Sequence, residues 1–71
     1  MTEDHIKLSI MYEVLRIRST YLPSAQLELD IRELKKQKNK IPSWSGLEEI
    51  SLYAAVDKFL KRLHANAGQR L

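Results

Sequence analysis

The chain predicts an all-α fold, and three observations carry that reading. Apolar residues recur at three- and four-residue spacings along most of its length. Only two Gly and two Pro interrupt 71 residues. The last third carries the start and stop signals of a capped helix. The expected architecture is a small three-helix arrangement, or a helical hairpin whose first helix is kinked or broken at Pro23. The domain assignment is one unit over residues 1–71, with helices at about 4–22, 24–38 and 45–65 and a tail at 66–71.

At about 100° per residue, Ile6, Ile10, Val14, Ile17 and Tyr21 share one side of the first helix. Leu8, Met11, Leu15 and Leu22 form a second stripe beside them, with Lys7 and Arg18 between. His5, Ser9, Glu13, Arg16 and Thr20 make up the remaining face. Two apolar stripes predict contact with two neighbours, and so a central helix.

Pro23 then breaks the pattern, since proline ends or kinks a preceding helix and is favoured in a first turn. A straight continuation would send Leu27, Ile31 and Leu34 to the polar side of the first helix, so the chain is expected to reorient there. These three residues form a narrow stripe, which suits a peripheral helix. Asn39 to Trp44 form the connecting loop, in which Pro42 biases Ile41 towards an extended backbone.

The third helix is the most clearly punctuated. Ser45 and Glu48 match a capping box. Glu48 and Glu49 suit the positive end of the helix dipole, and Lys58, Lys61, Arg62 and His64 suit the negative end. Gly68 is a candidate residue beyond a frayed end, and the chain after Ala65 is expected to be disordered. The main stripe is Leu52, Val56, Phe59, Leu60 and Leu63. Leu47, Ile50 and Ala54 form a short apolar patch on the opposite side.

Composition limits the function classes. A chain this short buries a modest fraction of its surface. With no Cys it has no disulfide, and assembly or a partner is the remaining way to add stability. The acidic start and the lack of a long apolar stretch predict a cytoplasmic protein with neither leader nor membrane span. The net charge of +3 is spread along the chain, with seven basic and six acidic residues in 1–38 and five and three in 39–71. That balance does not by itself indicate a nucleic-acid protein.

No catalytic, cofactor or metal constellation stands out, and the expectation is a protein that is not an enzyme and carries no cofactor. His5 and His64 are expected at the surface. Ser45 reads as a helix cap rather than a nucleophile. The basic run Lys35, Lys36, Lys38 and Lys40 supports an alternative reading as a small dimeric DNA-binding transcriptional regulator. Against it stand the six-residue connection and the acidic start of the third helix, where a recognition helix would meet base edges.

The remaining signal is apolar surface in excess of what so short a chain covers. Helix three is expected to pack antiparallel on one stripe of helix one. The other stripe and the patch Leu47-Ile50-Ala54 then lack cover, and a helical partner or a second copy is expected to supply it. Trp44, Leu52, Val56, Phe59 and Leu63 are the candidate partner-binding residues, as surface or as core.

The stretch Gln26-Leu27-Glu28-Leu29-Asp30-Ile31-Arg32-Glu33-Leu34-Lys35-Lys36, the following loop, and Leu47-Glu48-Glu49-Ile50 through Leu63-His64-Ala65 resemble the YscE/PscE family. These are small cytoplasmic co-chaperones of bacterial type III secretion. The resemblance spans residues 26–66 and extends to the Met-Thr start and the overall length. It implies pairing with a tetratricopeptide-like chaperone, the two together covering the amphipathic helix of a needle subunit. The segment Leu52 to Leu63 would then contribute to the pairing surface. Pro23 is a departure, because the first helix of that family is longer and uninterrupted.

Overall fold

A computed structural model describes residues 1–21 and 23–69, and the side chains among them except at Ser24 and 65–69. Three helices make up the fold: α1 (Glu3–Arg18), α2 (Ser24–Lys40) and α3 (Gly46–Gln69). No strand occurs among the described residues. The fold is all-α.

Helix α1 stops four residues short of its expected end. The Ser19 and Thr20 hydroxyls donate to the carbonyls of Arg16 (2.9 Å) and Ile17 (3.0 Å), engaging acceptors of the last turn. Pro23, with φ −59° and ψ 151°, stands immediately before α2, and its carbonyl accepts from the Leu27 N–H. The break therefore separates two helices rather than kinking one. Leu22, expected in the second stripe, lies outside the described residues. At the other end of α2, Ile41 is extended (φ −84°, ψ 119°), as proline at the next position favours.

Each connection reverses the chain. Arg18 pairs with Asp30 at 3.6 Å and Lys40 with Asp4 at 3.8 Å, so α1 and α2 are antiparallel. Lys38 pairs with Asp57, and α3 returns along α2. Consequently α1 and α3 run parallel, with His5 beside Glu49 and the Tyr12 ring edge-on to Phe59 at 5.4 Å. The expected antiparallel packing of α3 on α1 is corrected by this up-down-up order. Helix α2 is likewise not peripheral, because the α1–α2 interface is the most extensive of the three. Leu34 is fully buried there, and the Gln37 side chain donates to the Asp4 carbonyl at 3.1 Å.

Leu8, Leu15, Leu34, Ile41, Val56 and Leu60 form the core, flanked by Met11, Tyr12, Leu27, Ile31, Trp44, Leu52 and Phe59. Helix α1 thus meets both neighbours through one face, centred on Leu8 and Leu15. Its other stripe, about 150° around the helix, faces solvent.

The expected tail is also corrected. The backbone is helical through Gln69, with Gly68 inside the helix. Ala65 and Ala67 favour helix strongly, and a single Gly costs only about 1 kcal/mol. Arg70 and Leu71 lie outside the described residues.

Candidate interaction surface

The five residues singled out in the sequence belong to the inside of the bundle or its margin. Val56 is fully buried, Leu52 and Phe59 pack against the core, and Leu63 is half-buried. Trp44 is half-buried between the His5 ring (4.8 Å) and the Tyr53 ring (5.1 Å), edge-on to both. Val56 cannot meet a partner while the bundle is folded, and the uncovered apolar surface lies elsewhere.

That surface is the outer stripe of α1. Ile6, Ile10, Val14, Ile17 and Tyr21 are between 46 and 67% exposed. From Ile10 to Ile17 the steps are four and three residues, the spacing of a helix–helix seam, and Tyr21 follows in the turn after α1. Alongside it, a groove of about 240 Å³ runs between α1 and α2. Met11, Leu15 and Leu34 form its floor, and Glu33 and the Arg18–Asp30 ion pair form its rim. Lys7, Lys36 and Lys40 line the continuation of the groove towards the start of α1. A second, smaller apolar patch lies on the outer side of α3, where Leu47 is 82% and Ile50 54% exposed.

A polar knot closes one end of the bundle. His5 is buried, which corrects its expected surface position. It forms a capping box with Thr2, whose hydroxyl caps the His5 N–H while the Thr2 backbone N–H donates to Nδ1 at 3.2 Å. With Nδ1 accepting, the neutral ring carries its proton on Nε2. There it faces the Ser43 carbonyl (3.1 Å) and Glu49 Oε1 (3.2 Å). The signal available in the sequence was Thr2 followed three residues later by His5, a polar pair at capping-box spacing. Thr2, His5 and Glu49 have the connectivity of a hydroxyl, a base and an orienting carboxylate. None of the grooves described above opens onto them, and each polar contact is accounted for as a helix cap or an interhelix tie.

At the start of α3, Glu49 rather than Glu48 reaches back to the Ser45 N–H, at 3.0 Å. The basic run of α2 is divided between two sides. Lys36 and Lys40 line the α1 side, and Lys40 pairs with Asp4. Lys35 and Lys38 line the α3 side. Lys38 pairs with Asp57 at 3.1 Å and lies over the Tyr53 ring at 4.4 Å. Asp57 also accepts from Lys61 at 3.0 Å. Hydrogen bonds from Lys61 and then Lys38 hold its carboxyl below the usual carboxylate range.

Among the described residues there is no group of three side chains suited to hold a metal ion, and no helix is long and apolar enough to cross a membrane. No protein-family model matches the chain, and no curated protein or solved structure is significantly similar to it.

Proposed function

We propose that this chain is a helical protein-interaction module whose outer α1 stripe and adjoining α1/α2 groove receive an amphipathic helix of a partner protein. The observation that carries the reading is the exposure of four large apolar residues, Ile6, Ile10, Val14 and Ile17, at helical spacing on a helix whose opposite face already forms the core, with Tyr21 exposed in the turn that follows. Covering that stripe would contribute roughly 5–10 kcal/mol before association costs of similar size are subtracted. The stripe alone would therefore bind weakly. A specific partner must also use the groove, through the half-buried Met11 and the charged rim of Arg18, Asp30 and Glu33.

The resemblance of residues 26–66 to the YscE/PscE co-chaperones suggests a narrower version, in which a tetratricopeptide-like chaperone is the partner in the cytoplasm and a secretion needle subunit is the client; that resemblance would place the pairing at Leu52 to Leu63 rather than on the α1 stripe. The DNA-binding alternative draws less support, since the four lysines split between two sides of α2 and two of them are engaged by Asp57 and Asp4.

The test is affinity capture with the wild type and Ile10→Asp/Ile17→Asp in parallel, with light scattering after size exclusion at several concentrations. A protein retained by the wild type and lost by an equally helical variant supports the reading. A concentration-dependent dimer abolished by the variant would identify a second copy as the occupant. Monomers throughout, with nothing lost on mutation, would refute the role of the stripe.

A further inference from the structure

We propose that the groove between α2 and α3, on a different side of the bundle from the α1 stripe, docks an acidic amphipathic helix of a partner protein. Two adjoining hollows share Lys35 and His64 and so form one continuous groove. The larger, about 450 Å³, lies towards Asn39, and the smaller, about 310 Å³, lies towards Glu28. From Glu28 to Asn39 the groove follows roughly 16 Å of helix, enough for three turns of a docked helix. Ile31 and Leu63, both half-buried, and the buried Leu60 supply its apolar floor. Such a floor takes side chains spaced at three and four residues from a single helix face.

The rims give the occupant its charge. Arg32 and Lys35 stand on the α2 edge, Lys61 and His64 on the α3 edge, and Lys38 towards the Asn39 end. Only Asp57 and Glu28 oppose them. Asp57 already neutralises part of Lys38 and Lys61. Arg32 and Lys35 have no ion-pair partner among the described residues and are exposed, so they are free for carboxylates of a ligand. Basic rims over an apolar floor match glutamates and aspartates flanking an apolar stripe. A duplex fits less well. It has no use for the floor, and Asp57 and Glu28 would face its phosphates. The proposal does not rest on the α1 stripe, and each surface is tested by its own variant.

The experiment uses the full chain and three probes. They are a fluorescein-labelled fourteen-residue helical peptide with Leu at three- and four-residue spacing and Glu elsewhere, the same peptide with Lys replacing Glu, and a labelled DNA duplex. Anisotropy is read at low and moderate salt, and the acidic peptide is mapped by methyl NMR. The acidic peptide is expected to bind best, to shift the Ile31, Leu60 and Leu63 methyls, and to weaken with salt. Arg32→Glu/Lys35→Glu is expected to lose about tenfold in affinity for it and to gain affinity for the Lys peptide. The thermal melt of this variant should remain that of the wild type, because both sites are exposed. Equal binding of the two peptides would overturn the proposal. So would shifts confined to α1, or a duplex that outcompetes the acidic peptide.

Discussion

The Nε2 atom of His5 lies 3.1 Å from the carbonyl oxygen of Ser43, a hydrogen bond between residues 38 apart in sequence. It joins the first turn of α1 to the loop that launches α3. The same ring accepts from Thr2, meets Glu49 and packs edge-on against Trp44. One side chain therefore sets how three segments meet at this end of the bundle.

His5→Ala should consequently destabilise the fold by about 2–3 kcal/mol, combining a lost cap, the lost hydrogen bond to the Ser43 carbonyl and a lost aromatic contact. His5→Gln should cost less, because glutamine at that position can rebuild the cap but cannot also reach Ser43. Thermal melts and denaturant titrations followed by Trp44 fluorescence check both. Equal stability of the alanine variant would show that the knot is incidental to the fold.

Core and surface on α1 and α2 can be separated by a matched pair of substitutions. Leu34→Ala opens a cavity at a residue that is 1% exposed and should cost about 3 kcal/mol. Roughly 4–10 kcal/mol is the whole stability expected for a chain of this size, so that loss should be visible as a large drop in Tm. Ile10→Asp, at a position 60% exposed, should change stability by less than about 0.5 kcal/mol. A large loss at Ile10 would mean that the stripe already has cover within the folded chain.

Much of this fold was legible in the sequence, and the misses have definite causes. Three helices and the break near Pro23 follow from local signals. Which stripe of α1 faces inward does not, because Leu8-Met11-Leu15 and Ile6-Ile10-Val14-Ile17 are about equally apolar and share the same period. The difference appears only in the assembled bundle, where Leu8 and Leu15 pack with Leu34, Ile41, Val56 and Leu60 and where Gln37 on Asp4 and Asp30 on Arg18 fix the facing of α1 and α2. His5 looked like a surface residue because its acceptor, the Ser43 carbonyl, sits on a loop that only the assembled bundle brings near. Trp44, Leu52, Val56, Phe59 and Leu63, the candidate partner-binding residues, lie in the core or at its margin, and periodicity alone cannot divide core from interface.

Gly46 gives a test of backbone rather than contacts. Its φ is +80°, and a Cβ built there meets nothing within 4 Å. Space is therefore not the constraint. Gly46→Ala should still cost about 1–2 kcal/mol, because a side chain disfavours the left-handed region. Asn, which tolerates that region better, should cost less. Chemical denaturation of the three proteins side by side measures the order. An alanine variant as stable as the wild type would show that the turn before α3 can adopt another conformation.

Asp57 ties α3 to α2 through Lys38 and bonds Lys61 one turn on, and its depressed carboxyl pKa makes that tie depend on pH. Lys61 and then Lys38 lower the folded-state value below that of the unfolded chain. A carboxyl shifted in this direction contributes stability above its unfolded pKa and loses it as pH falls through the folded one. The contribution should thus be complete at neutral pH and disappear in the acid range below the ordinary carboxylate value. Asp57→Asn should be less stable than the wild type at pH 7, and the two melting curves should converge on acidification. Because Asp57 and Lys61 reach solvent while Lys38 is largely covered, added salt should narrow part of the difference at neutral pH as well. A gap that persists unchanged into strong acid would assign the effect to packing at Asp57 rather than to its charge.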